Sequence, residues 1–391
     1  MKKKLTSAAL AVIVLIVSFF LGSKLLAPVV GDVVFGAKVY KVSDEGYAAF
    51  ENATASKPLY YYNQLDEAQK QAYIQLYTAV NGFEKRCVVN VSHDLFSTVF
   101  QAVSYDNPEL FWLNQNYSYI EYGDYTDVKI AYLTDKQTAD IGTAQIEKKV
   151  GELTEKAKSL RTDYDKELFF NNAIVNMCYY DVSTLNEYDN SIYGVFVSGK
   201  SVCEGYSRAM QLLLNRAGIY NYLIVGDADG PDGKPEPHMW NIVEINGKKY
   251  HLDVTWNDNE ENEIKAPLFF NVSDDFISRN HYNFSPADNG CKYMNDNYFV
   301  RNGTYVKMFS GFTAYISASA SALRLGSNSV EFLFSTETEY KKAMEYIDSD
   351  NSFFNYVNSA VRLSGRNLYT DEVGYSSIDD YYYISINFKE R

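Results

Sequence analysis

The sequence predicts an α+β protein built from several parts, and three observations carry that expectation. At 391 residues the chain is too long for one small domain, and two or three are the fair prior. A helical stripe of Tyr206, Met210, Leu213, Leu214 and Ala217 stops at Gly218, a good residue just past a helix end. It is followed by a strand over 220–225 and a hairpin around Asn246-Gly247, the strongest short hairpin signal. From about Lys292 the texture changes, and two strands (330–334, 382–388) enclose helix-like segments at 338–347 and 353–363. The expected division is a membrane-directing segment at 1–27, an α+β region at 28–145, a central domain at 146–290 and a small α+β domain at 291–391. In the central domain a cysteine-bearing helix packs on an antiparallel sheet.

The elements follow in chain order. Lys2, Lys3 and Lys4 precede an apolar run from Ala8 to Leu21, a positive region followed by a hydrophobic one. The run approaches the ~17–20 residues that span a bilayer, and no clean small-x-small cleavage site follows it. An uncleaved signal anchor is favoured over a removed signal peptide, with the lysines cytoplasmic and the rest of the chain outside. Residues 28–60 read as a linker running into a first strand. Helices are expected over 65–80 and 93–103, then the Asp106-Asn107-Pro108 turn and strands at 111–113 and 117–122. Ile146, Val150, Leu153, Ala157 and Leu160 mark one amphipathic helix, and Leu168, Val175, Cys178 and Tyr179 the next. Residues 227–237 read as an Asp/Gly/Pro loop able to move.

The net charge of -14 argues against nucleic acid, because nothing here would neutralise phosphates. The 35 tyrosines suit surfaces that contact polymers or proteins. Four cysteines (Cys87, Cys178, Cys203, Cys291) lie at wide, irregular spacing. Cys178 reads as core; Cys87 and Cys291 pair or stay free.

Cys203 carries the chemistry. Ser201 and Glu204 fit a Ser-x-x-Glu capping box, which puts Cys203 in the first helical turn. Unpaired backbone N–H groups and the helix dipole there favour a thiolate, and with a His⁺ nearby a thiol falls into the range ~3.5–7.5. A thiol nucleophile needs a base, and the base needs an orienting group. With a two-residue turn at Asn246-Gly247, Ile245 faces Lys248, Trp240 faces Asp253 and His238 faces Thr255. His238 and Asp253 are then diagonal neighbours, ~7–8 Å apart at the backbone, on one face. Met239, Val243, Ile245, Tyr250, Leu252 and Val254 take the opposite face against the core, leaving the His238 face open. His251 shares that face and is the rival base. The Cys203 N–H is the first oxyanion donor, and Trp240, Trp256, Tyr179 and Tyr180 are candidates for the second. Trp240 and Trp256 otherwise read as packing, His93 and His281 as structural or surface residues, and 258–263 as a solvated acidic loop rather than a Ca²⁺ site.

These residues resemble a known family. Residues 199–207 (Gly-Lys-Ser-Val-Cys-Glu-Gly-Tyr-Ser), Gly218-Ile219, 238–243 (His-Met-Trp-Asn-Ile-Val) and 250–256 (Tyr-His-Leu-Asp-Val-Thr-Trp) are similar to the bacterial transglutaminase-like superfamily, specifically over about 165–285. The resemblance extends to Pro267-Leu268-Phe269-Phe270 and the stretch from Ser273 to His281. It implies a papain-like fold with Cys203, His238 and Asp253 as the triad, and no cofactor. It also implies thiol acyl chemistry on a glutamine carboxamide or peptide carbonyl, with amine or water as acceptor. The expected substrates are proteins, peptides or cell-wall material outside the cell. The alternatives are a cysteine peptidase and a non-catalytic surface protein with a relic triad.

Overall fold

The computed structural model describes residues 39–181, 186, 188–230, 233–258, 266–349 and 351–391. The expected anchor and most of the acidic loop lie outside the described residues. Among those residues, no helix is long and apolar enough to cross a membrane. The protein is α+β, and its described residues fall into two compact units: those up to Asp258 with Ser273–Lys292, and 266–272 with Tyr293–Arg391.

The first unit opens with α1 (Asp44–Thr54), α2 (Glu67–Asn81), β1 (Arg86–Val89) and α3 (His93–Asp106). Then come β2 (Ser118–Tyr122), β3 (Tyr125–Lys129), α4 (Lys136–Ala157) and α5 (Asp163–Met177). Residues 44–54, expected as linker, form a helix because Ser43 accepts the Gly46 N–H as N-cap and Phe50 is buried at its centre. The expected strand at 111–113 is only a bridge between Leu113 and Tyr132. The helix expected from 146 begins ten residues earlier, where Asp135 caps it by accepting the Thr138 N–H at 2.8 Å. Sheet β1-β3-β2 is antiparallel throughout.

Next come β4 (Tyr179–Tyr180), β5 (Lys200–Ser201) and α6 (Cys203–Arg216), then β6 (Asn221–Asp229), β7 (Pro235–Ile245) and β8 (Lys248–Leu252). Single turns α7 (Val254–Asn257) and α8 (Asp274–Ile277) precede β9 (His281–Ser285). The four-stranded antiparallel sheet runs β8-β7-β6-β9. Asn246 and Gly247 both have positive φ, as a type I′ turn requires, and Ile245 pairs with Lys248 as the turn length dictates. Most of the expected 227–237 loop is ladder instead: β6 and β7 stay paired out to Asp229 and Pro235.

Both faces of this sheet are covered, so the expectation of an open face at His238 fails. Tyr222, Ile224, Trp240, Ile242 and Cys291 cluster on one face, with Tyr60 and Phe284 against them. Leu223 and Met239 pack with Tyr105 on the other, where α6 also lies. All four cysteines are free thiols.

The second unit contains α9 (Tyr298–Asn302), β10 (Tyr305–Val306), α10 (Ile316–Arg324), β11 (Ser329–Phe334), α11 (Glu337–Ser349), α12 (Asn351–Ser364), β12 (Gly374–Ile378) and β13 (Tyr383–Asn387). Its sheet runs β10-β11-β13-β12, and its core joins Phe312, Phe332, Phe334, Tyr356, Ile384 and Ile386.

Candidate active site

Helix α6 carries Cys203 at its first helical position, and the cap differs from the one the sequence suggests. Ser201 belongs to β5, which pairs with β4, and its hydroxyl donates to Asp189 O at 2.5 Å. Val202 is the N-cap and supplies no side-chain bond. Glu204 pairs with Arg208 one turn on, at 2.8 Å, rather than reaching back to the cap. The Cys203 N–H is still among the first four of the helix, which have no intrahelical partner. Close approach fixes this turn: a Cβ on Gly205 would lie 2.8 Å from Asp189 O and 2.9 Å from Ser191 O.

Two anchors aim the helix. Ser207 Oγ lies 2.8 Å from Cys203 O and 2.7 Å from Met239 O, and Asn241 Nδ2 donates to Ser207 O at 3.1 Å. Arg208 is buried and donates to Ser104 O and Ser104 Oγ at 2.5 and 2.8 Å. The sequence signals neither anchor, because both depend on which backbone carbonyl happens to face the helix.

His238 enters from β7, opposite Gly226 of β6. The β7–β8 ladder ends at Asn241 and Leu252, so the expected pairs Trp240–Asp253 and His238–Thr255 do not form. The chain turns away at Asp253, whose Oδ1 accepts the Trp256 N–H at 3.1 Å and caps α7. Its Oδ2 nevertheless meets His238 Nε2 at 2.7 Å. The Cys203 thiol lies beside the same ring, close enough to favour its charged form. Cys203, His238 and Asp253 thus come together, with His238 and Asp253 both buried.

Burial works against the charge on His238, but Asp253 and then Cys203 outweigh it and raise the ring from 6.5 to about 10. Burial likewise opposes the Asp253 carboxylate, yet the charge and hydrogen bond of His238 and the bond from His281 hold it well below the usual carboxylate range. The arrangement favours an imidazolium paired with the Asp253 carboxylate.

His251, the rival base, is elsewhere. Its Nδ1 accepts the Trp240 Nε1–H at 2.9 Å, and its Nε2 lies 2.9 Å from Asp274 Oδ1. The same bond removes Trp240 as an oxyanion donor, since its indole N–H is spent on His251 and the side chain is fully buried. Tyr180, though 46% exposed, stays a candidate: burial of its hydroxyl, then the charges of Cys203, Glu236 and Asp253, push its pKa up, so it remains a neutral donor. Tyr179 is exposed. The Trp256 ring lies edge-on to His238 at 6.2 Å.

His281, read from the sequence as structural or surface, is buried with its Nε2 3.0 Å from Asp253 Oδ2. Only its place at the end of the 273–281 stretch of the family resemblance hinted at this. Two groups of potential metal ligands occur among the described residues, His238–Asp253–His281 and His251–Asp274–Cys291, each with its atoms within 4.8 Å of one another. The second fits a metal poorly. With Nδ1 accepting from Trp240, the His251 proton sits on Nε2, where a ligand lone pair would be needed.

Residues 151–254 match the model of the transglutaminase-like superfamily, and the chain carries a transglutaminase-like core there. Among solved structures, the crystal structure of a TGase aligns at 15% identity and TM-score 0.27, over 44% of this chain and 50% of its own. The periplasmic domain of TgpA from Pseudomonas aeruginosa, bound to ethylmercury, aligns at 13% identity and TM-score 0.24, over 36% of this chain and 57% of its own. The chain thus spans about half the length of each. No curated protein matches it.

Proposed function

We propose that the protein is a thiol enzyme of transglutaminase-like type, acting outside the cell on glutamine side chains or peptide bonds. One observation carries this reading: a cysteine at a helix N-terminus lies beside a histidine whose ring is paired with a buried aspartate. The Cys203 thiolate attacks a carboxamide or peptide carbonyl, and the tetrahedral oxyanion takes the Cys203 N–H and the Tyr180 hydroxyl. His238 then gives its proton to the departing ammonia or amine, which leaves a thioester on Cys203. In the second half His238 takes a proton from the incoming amine or water, and the acyl group passes on. Asp253 holds the ring and stabilises its charge throughout.

The substrate is a protein, peptide or cell-wall peptide, and the N-terminal apolar run supports delivery to the membrane with the domains outside. The transglutaminase-like match over 151–254 supports the thiol chemistry and is compatible with either acceptor.

The test is a paired assay: incorporation of a labelled primary amine into a glutamine-containing protein, against release of ammonia or new N-termini. Either activity, lost in Cys203→Ala and in His238→Ala, supports the proposal. Activity that survives both substitutions sinks it.

A further inference from the structure

Asp253 serves two imidazoles. His238 Nε2 and His281 Nε2 approach the same oxygen, Oδ2, at 2.7 and 3.0 Å, while Oδ1 is held by the Trp256 N–H. Nothing in thiol acyl transfer asks for the second ring. We propose that His281 is a positioning residue of the triad: its Nε2–H shares Asp253 Oδ2 with His238, fixing the carboxylate and limiting its pull on the His238 ring. This rests on the thiol-enzyme reading.

The surroundings support a neutral donor. His281 is walled by aromatic rings, Trp256 at 4.8 Å and Trp240 at 4.9 Å, with His238 at 5.4 Å. Its Nδ1 lies 2.6 Å from Asn280 Oδ1, an acceptor; a half-turn of that amide about its last bond puts its N–H on Nδ1 and leaves the proton of a neutral ring on Nε2. Burial, aided by the nearby rings of His238 and His251, lowers its pKa against the opposing pull of Asp253. The charged and titratable groups around the pair of rings are Asp253, Cys203 and His251, with Asp274 on the far side of His251 and Tyr180 beside Asp253 and Cys203. Asp253 is the one that both rings touch.

The chemistry needs such tempering. A general acid must release its proton, and an undivided buried carboxylate would hold the imidazolium too firmly. A second donor on Oδ2 takes up part of that oxygen's acceptor strength and prevents the carboxylate from rotating as His238 changes charge. Proton transfer to the leaving group is then easier, while the ion pair with Cys203 survives.

Iodoacetamide reports the ion pair without a known substrate. In the wild type its rate against pH should show a thiolate plateau reaching below ~pH 8, with a second transition where His238 loses its proton. In His281→Leu the upper transition should move up by roughly half to one pH unit, the weight of one hydrogen bond. His281→Gln, whose amide N–H can occupy the Nε2 position, should return it to the wild-type pH. An unchanged or lowered transition in His281→Leu, or a glutamine that restores nothing, overturns the assignment. Should the leucine variant not fold, ¹⁵N chemical shifts of the wild-type ring decide: neutral His281 protonated at Nε2 supports the role, and protonation at Nδ1 alone refutes it. A wild type without the low-pH plateau would instead defeat the thiol-enzyme reading itself, which keeps the two failures apart.

Discussion

Both units set helices against a four-stranded sheet, yet their interiors are filled differently. In the second unit the core is a continuous apolar and aromatic cluster, from Phe309 and Phe312 through Phe332 to Ile384 and Phe388. In the first, the sheet β8-β7-β6-β9 and helix α6 bury Ser207, Arg208, His238, Asn241, His251, Asp253 and His281. An apolar interior stabilises by area removed from water, at about 25 cal/mol per Å². A buried ion pair must first overcome several kcal/mol of desolvation per charge. The second unit is therefore organised for stability. The polar interior of the first is tolerated because each of these side chains makes at least one hydrogen bond, although Asn241 Oδ1 has no partner, and because a shielded imidazolium–carboxylate pair can hold a thiolate.

Four substitutions sharpen this contrast, in falling order of effect. Cys203→Ala removes the nucleophile; amine incorporation and hydrolysis are both expected to drop about 10⁴-fold or more, with the thermal midpoint almost unmoved. Asp253→Asn leaves the shape but frees the His238 ring and adds no charge to hold it, so turnover should fall roughly 10³–10⁴-fold. Phe332→Ala in the second unit should cost ~3–5 kcal/mol in urea unfolding of that unit while iodoacetamide still labels Cys203 at the wild-type rate. If labelling slows as well, the division of labour is wrong. Ser207→Ala removes the hydroxyl between Cys203 O and Met239 O and should cost ~1–3 kcal/mol, with a measurable loss of turnover because the nucleophile's helix loses an anchor.

The pH dependence of stability gives a milder test of the same contrast. His238 is raised from 6.5 to about 10, so its contribution is complete below pH 6.5 and is lost as pH rises through about 10. Asp253 is shifted down, so its share is present above the ordinary carboxylate range and is lost only in acid. Burial lowers His251 and His281, which act in the opposite sense and favour folding more as pH rises through 6.5. The difference in thermal midpoint between wild type and His238→Gln should therefore shrink between pH 6.5 and 10. A difference that grows over that range contradicts the ion pair.

Much of the molecule can be read from local rules. The hairpin turn follows from Asn246-Gly247, the end of α6 from Gly218, and the helices near 67–81, 337–349 and 351–364 from their spacing. These features depend on a few neighbouring residues, so short-range chemistry decides them. Strands β1, β3 and β12 left no comparable mark, because isolated short strands acquire meaning only from a partner. The Ser201–Glu204 pattern misled for a related reason: a serine that could cap a helix found a better acceptor in Asp189 O, twelve residues earlier.

The sequence by itself marked the side chains on which the proposed chemistry rests: a cysteine where a helix begins, and a histidine and an aspartate on either side of one tight turn. Tertiary structure decided the rest. It drew Asp253 out of the ladder to cap α7, spent the Trp240 indole on His251, covered the expected open face, and set His281 against the triad carboxylate. Each of these outcomes depends on groups far apart in the chain competing for the same few donors and acceptors in a dry interior. Such competition is settled by packing, which no local pattern encodes.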